Sequence, residues 1–194
     1  YAMLGMASVI AASAMYGGNQ AAAQAGLSGA VFQMFNHGTI SAMLFILVGV
    51  VYDRAHHRDI DGFGGLAKQM PLYSGICMIA FFAGLGLPGF SGFVSEFMCF
   101  IGAFPVFKAI VIISTIGILL NAAYFLSAYK RIFFGELNEK YKDMSEINNR
   151  ELFTVVPLAA VTLLLGVYPR PFLDLISNTI DHLIYQVTQI GGFA

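Results

Sequence analysis

Charge is scarce in this chain. Asp, Glu, Lys and Arg make up 11% of its 194 residues and hydrophobic residues 58%, whereas ordinary soluble domains carry about 25% charge. A soluble domain of this length would lack the charge to cover its surface. Cysteine is scarce too, and two residues of it exclude a secreted disulfide scaffold. There is no basic excess: Lys and Arg number 10 against 11 acids, which leaves no field for nucleic acid. The glycine pairs at 64–65 and 191–192 fit no phosphate loop. His56 and His57 stand near Asp53, Asp59 and Asp61, but this one short loop lacks the spacing of a metal-ligand set. What remains, with a mean hydropathy of +0.74, is an all-α, polytopic membrane helix bundle. Strands are not expected, because a barrel alternates over segments of about 10 residues while these runs are continuous.

No Lys or Arg precedes Arg54, and the apolar run YAMLGMASVIAASAMY opens at Tyr1. It has neither the basic start nor the cleavage site of a secretory signal. The chain reads as a fragment cut inside or just before a helix. Six apolar segments follow one another at 1–17, 27–52, 71–87, 91–104, 107–134 and 152–168, most of them near the length that spans a bilayer. Residues 16–26 read as a loop. The third and fourth segments are separated by Leu87-Pro88-Gly89. If they count as two crossings, the basic residues fall five and five on the two sides, and the positive-inside rule gives no orientation. Residues 1–170 form the transmembrane bundle. From 171 to 194 the pattern changes: Phe172, Leu175, Ile176, Ile180, Leu183, Ile184 and Val187 recur at helical spacing, an amphipathic tail suited to the membrane surface or, lacking a Lys/Arg face, better suited to docking on a neighbouring subunit. Tyr52, Tyr73 and Tyr168 near segment ends read as interfacial anchors.

Two ionisable side chains lie inside apolar runs. Glu96 is the only acid there, in GFVSEFMCF, and His37 the only histidine, in AVFQMFNHGTISAMLF. An ionised side chain at mid-bilayer costs at least ~2.5–3.5 kcal/mol, and such residues form relays and ion paths. Gln33, His37 and Ser41 are spaced by four, with Asn36 beside them, so a polar stripe runs along one helix face. Histidine is suited to a proton relay; a neutral histidine bonded between helices is the structural alternative. Glu96 follows a break crowded with Gly84, Gly86, Pro88, Gly89 and Gly92. Interrupted membrane helices occur where freed backbone lines a cavity, and transporters place ions there. Glu96 is thus a candidate for carrying protons, the alternative being a permanently neutral acid holding one hydrogen bond. Lys108, after Pro105, is a weaker candidate that can snorkel to the interface. Cys77 and Cys99 fall in separate apolar segments and read as inert core thiols.

These residues carry a resemblance. QMFNHG, LFILVGVVYDRAHHRDIDGFGGLAKQMP and LGLPGFSGFVSEF, followed by AAYFLSAYKRIFFG, NRELF and GVYPRPFLD, resemble the C-terminal half of the antiporter-like membrane subunits of proton-translocating NADH-quinone oxidoreductase, respiratory complex I. The glutamate in the PG–GF–E motif marks the chain M, or mitochondrial subunit-four, type, since sister chains usually carry lysine there. The resemblance implies two inverted helix bundles, each half of a proton path, with this chain supplying most of the second. It implies that His37 and Glu96 belong to a central polar axis, whose upstream lysine and glutamate lie outside this chain. Small departures are His57 where threonine is common and Ser95 where glycine is common.

The implied function is that of a proton-translocating subunit without a redox centre, holding no flavin, iron–sulfur cluster or nicotinamide. It would sit as a multi-pass protein in the bacterial inner (cell) membrane among other membrane subunits, contacting lipid and no nucleic acid. A subunit of a multisubunit cation/proton antiporter, which shares the fold, and a static scaffold subunit are the alternatives.

Overall fold

The computed structural model of the chain describes residues 20–190, so the first apolar run, 1–17, lies outside them. Among the described residues all regular structure is helical. The helices are α1 (Gln20–Ala55), α2 (Pro71–Leu85), α3 (Ser91–Ala103), α4 (Lys108–Phe133), α5 (Asn149–Val167) and α6 (Arg170–Ile190). Single helical turns stand at Ile60–Gly62, Leu66–Gln69 and Glu139–Tyr141.

Local chemistry explains the boundaries. α2 begins on Pro71, at a first helical position where a missing N–H costs nothing. The Glu146 carboxylate accepts from the next two amides, Leu72 at 2.9 Å and Tyr73 at 3.1 Å. α2 ends at Gly86, whose φ of 73° makes a left-handed cap. α5 opens with a capping box, in which Asn148 and Glu151 each bond the other's backbone amide at 2.9 Å. α1 runs for 36 residues, or about 54 Å. Its first turns, QAAAQAG, were the part expected as a loop; alanine is the strongest helix former, and the helix simply continues through it.

α1, α4 and α5 are each long and apolar enough to cross a membrane, while α2 and α3 are both too short. Their contacts with α1 show how these two shorter helices are used. Tyr73 donates to the Leu47 carbonyl (2.8 Å), Gly84 and Gly92 meet Ile40, and Asn36 bonds Ser91 and Ser95. Further on, Gly29 faces Met98 and Cys99, and Gly102 lies against Gly26. The partners thus climb from 73 to 102 while α1 descends from 47 to 26. α2 and α3 are one interrupted crossing, antiparallel to α1. α4 then returns along α2: Asn121 against Gly84, Phe125 against Phe81, and Tyr129 against Ser74.

One crossing in place of two changes the sidedness. The loops 56–70 and 134–148 lie at the same end, joined by Gly65 N to Phe134 O (3.1 Å), Gln69 to the Met144 carbonyl (3.0 Å) and an ion pair between Arg131 and Asp61. Arg54 ties the same end together. Its guanidinium donates to both oxygens of Glu151 (3.0 and 2.9 Å) and to the carbonyls of Val50, Ser145 and Glu146. Arg54, Arg58, Lys68, Lys130, Arg131, Lys140, Lys142 and Arg150 therefore gather at one end, leaving Lys108 and Arg170 elsewhere. The five-against-five division fails because it counted the interrupted segment twice.

α6 also differs from the expectation. Part of its apolar stripe packs on α1 of the same chain: Phe172 stacks on Phe32 at 4.8 Å, and Ile180 and Ile184 are buried with Ala23, while Leu175 and Leu183 stay exposed. Asp181 accepts from Gln24 at 2.9 Å. Tyr73 is likewise a core residue and not an interfacial anchor, being 4% exposed; Tyr52 and Tyr168 are exposed. Cys77 and Cys99 are both buried and free.

Candidate functional site

The helix break lies about midway along α1, and the polar side chains collect there. Gly86 turns the chain out of α2, and α3 restarts at Ser91. α1 and α3 approach closely because glycines face the contact: a Cβ on Gly29 would stand 2.7 Å from the Met98 Cβ and 2.8 Å from the Cys99 nitrogen. This approach brings the α1 stripe against the start of α3. Asn36, fully buried, donates to the Ser91 carbonyl at 2.9 Å and to Ser95 Oγ at 2.8 Å. The Ser95 hydroxyl donates in turn to Gln33 Oε1. Ser95, the departure from the resembled pattern, thus knits the two helices.

Glu96 is 9% exposed. Among the described residues its carboxyl has no hydrogen-bond or ion-pair partner, and its Oε2 lies where a side chain on Gly86 would begin, 2.6 Å from an ideal Cβ. Gln33, His37, Ser41 and Glu96 all line one cavity of about 210 Å³, closed by Gly84, Tyr124 and Phe125. The expected residues therefore converge on one space. His37 sits at its rim: the ring is exposed, and Nδ1 lies 3.4 Å from the Ser41 hydroxyl. The α1 stripe accordingly opens to the surface of residues 20–190 and is not enclosed by them. Lys108 is not brought to the cavity; it is exposed as the first residue of α4.

A wider, open cavity of about 780 Å³ adjoins the first through Gln33, Gly84, Glu96 and Tyr124. Its other wall is an α4 stripe of Ser114, Gly117, Asn121 and Tyr124. Asn121 donates to the Gly84 carbonyl at 3.0 Å, satisfying an acceptor that the interrupted helix leaves free. These α4 residues escaped the sequence analysis, although their spacing of three, four and three in an apolar run marks one helix face. Two buried oxygens, Asn36 Oδ1 and Ser91 Oγ, have no protein partner among the described residues. The site therefore keeps hydrogen-bonding capacity free beside an acid and a histidine.

Comparison with known proteins bears on the whole of this region. Residues 2–121 match the family described as NADH:quinone oxidoreductase/Mrp antiporter, TM, a stretch that contains every cavity-lining residue of α1, α2 and α3. The NADH-quinone oxidoreductase subunit M of Rhodobacter capsulatus is 48% identical over 165 residues, covering 84% of this chain and 32% of the relative. Respiratory complex I from Thermus thermophilus contains a chain that superposes with a TM-score of 0.76 at 26% identity, over 90% of this chain and 37% of that one. The Mrp complex from Dietzia sp. gives a TM-score of 0.75 at 19% identity, over 100% of this chain and 49% of that one, a likeness of fold. The chain spans about a third of the length of the curated relatives it matches. With its helical bundle, interrupted crossing and matching sequence, the chain belongs to the NADH:quinone oxidoreductase/Mrp antiporter family of transmembrane subunits.

Proposed function

We propose that the protein to which this chain belongs is a proton-translocating membrane subunit of a respiratory NADH-quinone oxidoreductase, and that the break between α2 and α3 is part of its proton path. The observation that carries this reading is the convergence of Gln33, His37, Ser41 and Glu96 on one cavity at the break. Glu96 is the group that takes up and releases the proton. His37 and Ser41 stand at the rim as the next donor and acceptor. Gln33, through Ser95 and Asn36, fixes the α1–α3 spacing and leaves Asn36 Oδ1 and Ser91 Oγ free to hold water in a chain. The subunit carries no redox centre of its own, so electron transfer belongs to other chains and reaches this one as a conformational or electrostatic change.

The sequence similarity to subunit M supports the oxidoreductase over the cation/proton antiporter, whose structural likeness at 19% identity speaks to the fold alone. The subunit is multi-pass in the bacterial inner membrane, with other antiporter-like membrane subunits as neighbours. Its orientation follows from the charge distribution. Eight of ten basic residues cluster at the end holding the 56–70 and 134–148 loops, and the positive-inside rule places that end in the cytoplasm.

Glu96→Gln keeps the shape and removes the titration. In the full-length subunit, assembled and reconstituted in vesicles, it is expected to abolish most proton pumping with near-normal assembly, and Glu96→Asp is expected to be milder. Undiminished pumping by Glu96→Gln would refute the reading and favour a scaffold role.

A further inference from the structure

Two cavities at the basic end of the bundle share part of their walls and are unrelated to the proton site. One is a polar, open cleft of about 950 Å³ between the two loops, lined by Arg58, Arg131 and Lys140 with Asp59 and Asp61. The other is an apolar hollow of about 300 Å³ reaching down among α1, α2 and α4, walled by residues such as Val48, Val51, Phe81, Ala128 and Ile132. Arg58 and Ile60 line both. A charged mouth thus stands beside a greasy slot between membrane helices.

The charges in the mouth are not balanced. Arg131 is paired with Asp61. Arg58 and Lys140 have no ion pair among the described residues; each lies over an aromatic ring, Arg58 at 4.9 Å from the Tyr52 centroid and Lys140 at 5.4 Å from that of Tyr141. Three cations face two carboxylates, so the cleft carries one surplus positive charge. The wall behind it is aromatic: His57 stacks on Phe63 at 4.5 Å and bonds the Tyr141 hydroxyl. A ligand that fits must present a single negative charge in the mouth and a hydrocarbon chain in the slot.

We propose that these two adjoining cavities together bind one anionic glycerophospholipid, its phosphodiester held by Arg58 and Lys140 and one acyl chain passing Arg58 and Ile60 into the hollow among α1, α2 and α4. A headgroup without net charge leaves the surplus cation uncompensated, and a free phosphate ester leaves the hollow unfilled. Basic pockets between membrane helices on the cytoplasmic side are a recurrent form of anionic-lipid site, and this cleft lies at the end the charge distribution places there. The lipid fills a gap in the α1–α2–α4 packing and holds the two loops together.

The test uses the full-length subunit in its complex, purified in mild detergent and stripped of loosely held lipid. Thermal unfolding is followed while titrating phosphatidylglycerol, phosphatidylethanolamine or glycerol phosphate. Phosphatidylglycerol is expected to raise the transition temperature with a saturable midpoint, and the other two are not. Arg58→Gln with Lys140→Gln is expected to weaken that midpoint roughly 25-fold, two surface cations at about fivefold each. Val48→Trp, which fills the slot from a partly exposed position, is expected to remove the shift while leaving the mouth intact; Lys140→Gln alone, at an exposed site, covers the case in which the double variant fails to fold and is expected to weaken the midpoint about fivefold. Equal shifts with phosphatidylethanolamine or with glycerol phosphate, or an unchanged midpoint in Lys140→Gln, would overturn the proposal.

Discussion

Replacing Gly86 by alanine tests the geometry around Glu96 without touching the acid. Gly86 holds φ at 73°, a region that costs a residue with a Cβ roughly 1–2 kcal/mol. The added Cβ would also stand 2.6 Å from Glu96 Oε2. Ordinary carbon–oxygen contacts begin near ~3.3 Å, so the carboxyl must retreat by about 0.7 Å. A displacement of about that size at a reacting group costs up to ~10²-fold in rate, and a loss of pumping of about 10-fold is expected. The assay is proton uptake per electron transferred in vesicles carrying the assembled complex, with thermal unfolding measured on the same preparation. Gly75→Ala is the control: it lies on the same helix, and a Cβ there meets nothing within 4 Å. It should leave pumping unchanged and stabilise slightly, since alanine is the better helix former by up to ~1 kcal/mol. Shortening the acid in the same protein, Gly86→Ala with Glu96→Asp, should recover part of the loss by making room. Wild-type pumping in Gly86→Ala, or equal damage from Gly75→Ala, would refute the reasoning.

Arg54→Ala should destabilise the subunit by about 2–3 kcal/mol, below the range for breaking a fully buried ion pair because both partners keep some exposure; chemical denaturation against wild type measures it, and Arg54→Lys should recover only part, lacking the two-pronged fork. His37→Ala should lower pumping partially and less than Glu96→Gln, because water at the exposed rim can replace one relay member; loss equal to that of Glu96→Gln would make His37 indispensable instead. Lys142→Cys and Lys108→Cys, in a protein otherwise cleared of accessible cysteines, should react with an impermeant reagent from the cytoplasmic and the opposite side respectively, while Cys77 and Cys99, being buried, stay silent; the reverse pattern would invert the orientation.

The break at Leu87-Pro88-Gly89 was legible because proline and glycine interrupt a helix for local reasons. What the interruption does was not legible. Whether two short helices make one crossing or two is decided by their pairing with α1, through contacts 26 to 76 residues apart in sequence. The gathering of eight basic residues at one end was lost with it, although each of them was in view. Glu96, His37, Gln33 and Ser41, which line one cavity, stand out in the sequence because each breaks the chemistry of its own apolar run. Asn121 and Tyr124 were missed because an amide and a phenol are common enough in membrane helices to pass without notice; only the cavity shows them sharing a wall with Glu96. Tyr73 was misread because a tyrosine near a segment end looks alike whether its hydroxyl meets water or, as here, the Leu47 carbonyl.

The interrupted crossing also constrains how the chain enters the bilayer. Neither α2 nor α3 is long enough to be threaded across as a segment in its own right, and the backbone between them cannot rest against lipid with its carbonyls bare, at several kcal/mol for each such group. α1 is already synthesised when this segment emerges and offers Asn36 to the Ser91 carbonyl. The Gly84 carbonyl must wait for Asn121, which is made 37 residues later. Biogenesis of this region therefore has a smallest unit, α1 through α4, within which the break is completed only after the last helix arrives. A truncation before Asn121 would leave a half-made joint, and membrane quality control would meet it as an exposed polar backbone in the middle of the bilayer.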